Sequence, residues 1–110
     1  MIETMVLKYL AENLDVPVSM EEPEEKPTSY VIIEKTGGGM ENQIHNATLA
    51  IQGYAETLYK AAQLNEEVKS LMLAMPDEED VGYVGLQSDY NFTDPSTKRY
   101  RYQSVWDIVY

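Results

Sequence analysis

The chain has 110 residues, 19 acidic against 8 basic for a formal net charge of −11, and no cysteine. That length predicts one core and a single domain, residues 1–110. The charge argues against gripping a nucleic-acid backbone by phosphate neutralisation, and the missing thiols exclude a disulfide framework, a thiolate metal site and a cysteine nucleophile.

The first predicted element is a helix over residues 2–14. Ile2, Met5, Val6, Tyr9, Leu10 and Leu14 share one face, and Asp15-Val16-Pro17 ends it because the residue before proline is pushed out of the helical region. The N-terminal stretch carries charges and no signal-peptide pattern, and no apolar run approaches bilayer length, so the expectation is an unprocessed cytosolic chain without a membrane segment. A short extended piece over residues 16–20 leads into EEPEEKP. Its four glutamates, Glu21, Glu22, Glu24 and Glu25, and two prolines predict an exposed loop.

Residues 30–35 are rich in β-branched side chains and predict a strand, stopping at Thr36 and a flexible turn made by Gly37, Gly38 and Gly39. Residues 41–52 alternate as a second strand, and Gly53 is expected to break it. The main helix is expected over residues 54–75, with Pro76 stopping it and the DEED run at 77–80 forming an acidic loop. Apolar alternation resumes from Val81 towards Phe92, and Thr93-Asp94-Pro95-Ser96 is a turn by composition. The closing strand, residues 98–110, puts Tyr100, Tyr102, Ser104, Trp106, Ile108 and Tyr110 on one face and Arg101, Gln103, Val105, Asp107 and Val109 on the other. The fold class is therefore α+β, in the order α-β-β-β-α-β-β, with an antiparallel sheet covered on one face by two helices.

Motifs for chemistry are sparse. His45, the only histidine, sits in a predicted strand and cannot by itself build a triad or a metal set. The three glycines lack the Lys-Ser/Thr that a phosphate loop needs, and neither acidic run has the ligand spacing of a calcium loop. No catalytic residue, cofactor or metal is expected, and the chain reads as a non-enzyme. Lys98, Arg99 and Arg101, interleaved with Tyr100 and Tyr102, form the one basic cluster, suited to an edge strand or an acidic neighbour. The tyrosines and Trp106 admit two readings: packing under the helices, or a subunit interface, where Tyr, Trp and Arg are enriched.

The stretches YVIIEKTGGG, ATLAIQGYAETLYKAAQLNEEVKSLM and SDYNFTDPSTKRYRYQSVWDIVY resemble a group of small tail-component proteins of siphophages and Gram-positive prophages. The resemblance covers most of the chain and is most specific in its last two segments. It is to the tail-terminator and tail-completion group, which implies a small α+β domain forming a hexameric ring at the head-proximal end of the tail tube. The partners implied are copies of itself, the tail tube protein and the head-tail connector proteins, with DNA passing through unbound. The location implied is the virion tail, assembled in the cytoplasm of the bacterial host. A ring needs two complementary patches on each subunit. The candidate interface residues are Lys98, Arg99, Tyr100, Arg101, Tyr102, Trp106 and Tyr110, with the basic cluster expected to face an acidic loop of the next subunit. Glu21, Glu22, Glu24, Glu25 and Gly37, Gly38, Gly39 are candidate lumen or partner loops, where acidic groups would repel DNA. The alternative is an acidic binding module or inhibitor that mimics nucleic acid at a basic partner surface.

Overall fold

The computed structural model describes residues 1–97 and 99–110; the expected interface residue Lys98 lies outside them. In chain order the elements are α1 (Ile2–Asn13), β1 (Val18–Ser19), β2 (Tyr30–Glu41), β3 (Ile44–Ala55), α2 (Leu58–Glu78), β4 (Tyr83–Asn91) and β5 (Tyr100–Val109). The five strands form one sheet in the order β1-β2-β3-β5-β4, antiparallel throughout except for the short parallel β1–β2 pair. This is the α+β fold and element order that periodicity predicts.

Both helices lie on one face of the sheet. Ile2, Val6, Tyr9 and Leu10 of α1 and Leu64, Val68, Met72 and Met75 of α2 meet Val31, Ile33, Leu49, Ile51, Trp106 and Ile108 in one core. Tyr9 ties the helices together by donating its hydroxyl to the Leu71 carbonyl at 2.7 Å. The alternation of the closing strand holds: Ser104, Trp106 and Ile108 are buried beneath the helices.

Four local expectations are corrected. Gly37, Gly38 and Gly39 are not a turn but regular strand, paired with Thr48, Ala47 and Asn46. The turn is Asn42-Gln43, whose φ values of 52° and 65° are the signature of a two-residue type I′ hairpin. Positive φ at both central residues matches the strand twist, so the turn settles at the tip and the glycines, which have no positive φ, remain in the ladder. Gln43 stands where this turn prefers glycine. Gln43→Gly is expected to raise stability by about 0.5–1 kcal/mol, read as a higher urea midpoint at constant m-value.

Gly53, expected to break β3, is instead paired with Val31 and Tyr102 inside it. A Cβ there would lie 3.2 Å from Leu64, so the bare backbone lets α2 approach the sheet. The helix expected from residue 54 starts later, because Tyr54 is held in β3 between Tyr30 and Arg101. Thr57 then caps α2 by accepting the Lys60 amide at 3.1 Å. At the other end Pro76 does not stop α2, which runs on to Glu78. A proline in the last turn forfeits a single helical hydrogen bond, and the Glu79 amide donating to Met75 at 2.8 Å closes the end.

Candidate functional site

The sheet face away from the helices is not simply solvated. At the end where β2 begins and β3 finishes, Tyr30, Tyr54 and Arg101 sit side by side on adjacent strands. The two tyrosine rings stack at 4.5 Å with an 11° interplanar angle, and with Ile32 they form a second buried cluster.

Two arginines close over it. Arg101 donates from Nε to the Phe92 carbonyl at 2.6 Å and from Nη1 to the Tyr54 hydroxyl at 2.7 Å, with its guanidinium 4.3 Å from the Phe92 ring centroid. Arg99 lies 5.2 Å from the Tyr30 ring and donates from Nη2 to the Pro27 carbonyl at 3.2 Å. Its buried Nε has no hydrogen-bond partner among the described residues, so the Tyr30 ring is a main compensation for that cation. Glu22 reaches in from the acidic loop and accepts the Tyr30 hydroxyl at 2.8 Å. The next row continues the polar network: Gln52 donates to Gln103 at 2.7 Å, and Gln103 donates to the Tyr90 hydroxyl.

The electrostatics follow from these contacts. The Tyr30 hydrogen bond holds the Glu22 carboxyl below the usual carboxylate range, with help from Lys26 and Arg99 against the opposing effect of burial. Burial, then the bond to Glu22, pushes the Tyr30 hydroxyl up to about 12 from an ordinary 10.0. A raised folded pKa gives stability that is complete below the unfolded value and lost as pH climbs through the folded one. Denaturant midpoints should therefore fall between pH 10 and about 12. Tyr30→Phe should remove that alkaline component. For Glu22 the sign is reversed: its contribution is present above the unfolded carboxylate pKa and fades as pH falls through the lowered one.

The expected interface residues thus have varied fates. Trp106 is fully buried in the protomer and offers no surface to a neighbour; its Nε1 donates to Ser104 Oγ at 2.7 Å. Arg99 and Arg101 are engaged within their own chain, and the acidic loop that Arg99 meets is that of its own subunit. Tyr100 is exposed opposite Ala55 at the end of β3, and Tyr102 lines a cleft of about 340 Å³ with Tyr59, Ala62 and Asn65. Tyr110 is half-buried and stacks on His45 at 5.4 Å. Of the candidate lumen residues, the acidic loop and the glycines lie towards opposite ends of β2, so the structure does not gather them into one site.

Between Glu22, Lys26, Asp94, Arg99 and Arg101 is a polar pocket of about 130 Å³, room for a few waters rather than an organic cofactor. Among the described residues no three His, Cys, Asp or Glu side chains stand close enough to hold a metal ion. Nor, among them, is any helix long and apolar enough to cross a membrane.

Sequence reasoning missed Tyr30, Tyr54, Phe92 and the two glutamines as a cluster. The available signal was the alternation of Gln52 and Tyr54 across Gly53, with Thr57 as the next helix cap. In comparisons with known proteins, no family model matches this chain and no curated protein matches it.

Proposed function

We propose that the chain is a structural phage or prophage tail protein of the terminator and completion type, forming a ring at the head-proximal end of the tail tube and joining it to the head connector. The observation that carries this reading is the resemblance of its three longest motif blocks, each of which falls on strands and helices of the fold. YVIIEKTGGG is the first part of β2, the second block is most of β3 with most of α2, and the third is the end of β4 with β5. The bonded side-chain clusters hold strands and loops together around a pocket with room for only a few waters. The net charge of −11 suits a ring that DNA traverses without adhering.

Because Arg99 and Arg101 are used internally, this reading draws the subunit contacts of the ring mainly from surfaces other than these two side chains. The test is native mass spectrometry across a concentration series, with a salt titration alongside. A closed ring, expected as a hexamer, supports the reading. A chain that stays monomeric at every concentration and binds neither tail-tube nor connector proteins overturns it, and a salt-sensitive complex with a basic protein would favour the acidic module instead.

A further inference from the structure

We infer that copies of this chain join head to tail through their two sheet edges, the outer edge of β4 in one copy pairing with residues 33–41 of β2 in the next. The inference rests on the ring assembly proposed above and names the surfaces that make it.

The two edges fit in length. β1 pairs with Val31 and Ile32 alone, so the 12-residue β2 leaves residues 33–41 with β3 on one side and no strand on the other among the described residues. That stretch is as long as the nine-residue β4, whose outer edge is likewise unpaired among them. They also fit in direction. Each of the three steps from β2 through β3 and β5 to β4 is antiparallel, so β4 runs opposite to β2. A neighbour in the same orientation therefore presents its β2 antiparallel to β4, with both pairs of helices on one side.

Register supplies the more specific argument. Each edge strand has a bulge against its inner partner, β2 between Lys35 and Gly37 and β4 between Leu86 and Ser88. A bulge changes which face the following side chains occupy, so a partner that keeps one unbroken register across it needs a bulge of its own at the same level. Setting Ile33 opposite Asn91 and Glu41 opposite Tyr83 places Thr36 opposite Ser88 and Gly37 opposite Gln87, bulge beside bulge. Faces then agree at both ends. Met40, 62% exposed, comes to Val84 on the helical side, two residues along β4 from Leu86, which is 37% exposed. Lys35 comes to Asp89, which already accepts Lys69 at 3.0 Å, so the added cation meets an acidic patch that also includes Glu66.

Two of the glycines are then accounted for. Neither Gly37 nor Gly39 has positive φ, and a Cβ on either would meet nothing nearer than 3.5 Å. The protomer does not require them, whereas close approach by a neighbouring chain makes use of bare strand backbone.

The test exploits the absence of cysteine. Glu41 and Tyr83 are exposed, and antiparallel partners stand within disulfide range. Oxidation of the double variant Glu41→Cys/Tyr83→Cys is expected to give a ladder of covalent multimers ending at the ring number. The out-of-register pair Glu41→Cys/Ser88→Cys should cross-link far less. Lys35→Glu should raise the concentration at the assembly midpoint roughly fivefold. Rings that form without any ladder, and without response to Lys35→Glu, overturn the edge pairing and leave the ring reading standing. An open-ended ladder with no closed species supports the edge pairing and overturns the ring. A chain that neither assembles nor cross-links, alone or with tail-tube and connector proteins, overturns both.

Discussion

Replacing Trp106 by alanine is expected to cost about 3–5 kcal/mol of folding stability, the largest effect of any single truncation in this chain. Trp106 is fully buried on the helical face, where its neighbours across the sheet are Leu49 on β3 and Leu86 on β4. Both helices contribute to the same core, so the cavity left by the indole cannot close without moving α2 against the sheet. The hydrogen bond to Ser104 is lost as well, leaving that buried hydroxyl only its long 3.5 Å contact to the Ile51 carbonyl. Trp106→Phe keeps most of the buried area and should cost less, roughly 1–2 kcal/mol. Urea unfolding followed by far-UV circular dichroism is the measurement, since this is the only tryptophan and its fluorescence disappears with it. A small change in protomer stability accompanied by a large loss of assembly would contradict the core placement and return Trp106 to an interface.

Tyr30→Ala is expected to be nearly as severe, about 3–5 kcal/mol, although Tyr30 lies on the face the helices do not cover. Its ring is fully buried, stacked on Tyr54 at 4.5 Å and placed under Arg99. Truncation removes the aromatic face that compensates a partly buried guanidinium and takes the hydrogen-bond donor from Glu22. Tyr30→Phe keeps the stack and should cost only about 1 kcal/mol. Limited proteolysis distinguishes the mechanism. Because Glu22 and Pro27 are held through Tyr30 and Arg99, a glutamate-specific protease should cut within residues 21–29 faster in Tyr30→Ala, while hydrogen exchange of β5 near Trp106 changes only by the global loss. Unchanged stability would mean that the second cluster contributes little and that the loop is held by other contacts.

The second cluster also bears on assembly. In a chain with 8 basic residues, committing Arg99 and Arg101 to internal contacts leaves the outer surface more acidic than the sequence alone implies. Such a surface disfavours association through charge attraction between copies. The edge pairing proposed above would draw most of its strength from backbone hydrogen bonds, which net charge opposes less than it opposes ion pairs between copies.

How much of this was legible in advance depends on the range of the interaction. Helix and strand identities follow from periodicity, which each residue shares with its near neighbours, so α1, most of α2, β3 and the two faces of β5 could be read directly from spacing. The class, α+β with both helices on one face, follows from the same patterns because each amphipathic element needs a partner for its apolar side. Local spacing carried no information on contacts between distant segments. Gly53 looks like a breaker until Leu64 is seen packing over it, and residues 37–39 look like a turn until Asn42 and Gln43 take the left-handed conformation at the tip. Arg99 and Arg101 look like a surface patch because nothing near them in sequence announces Tyr30, Pro27 or Tyr54. Their fate was decided by sheet register, which sets strands from opposite ends of the chain side by side, and register belongs to the tertiary structure.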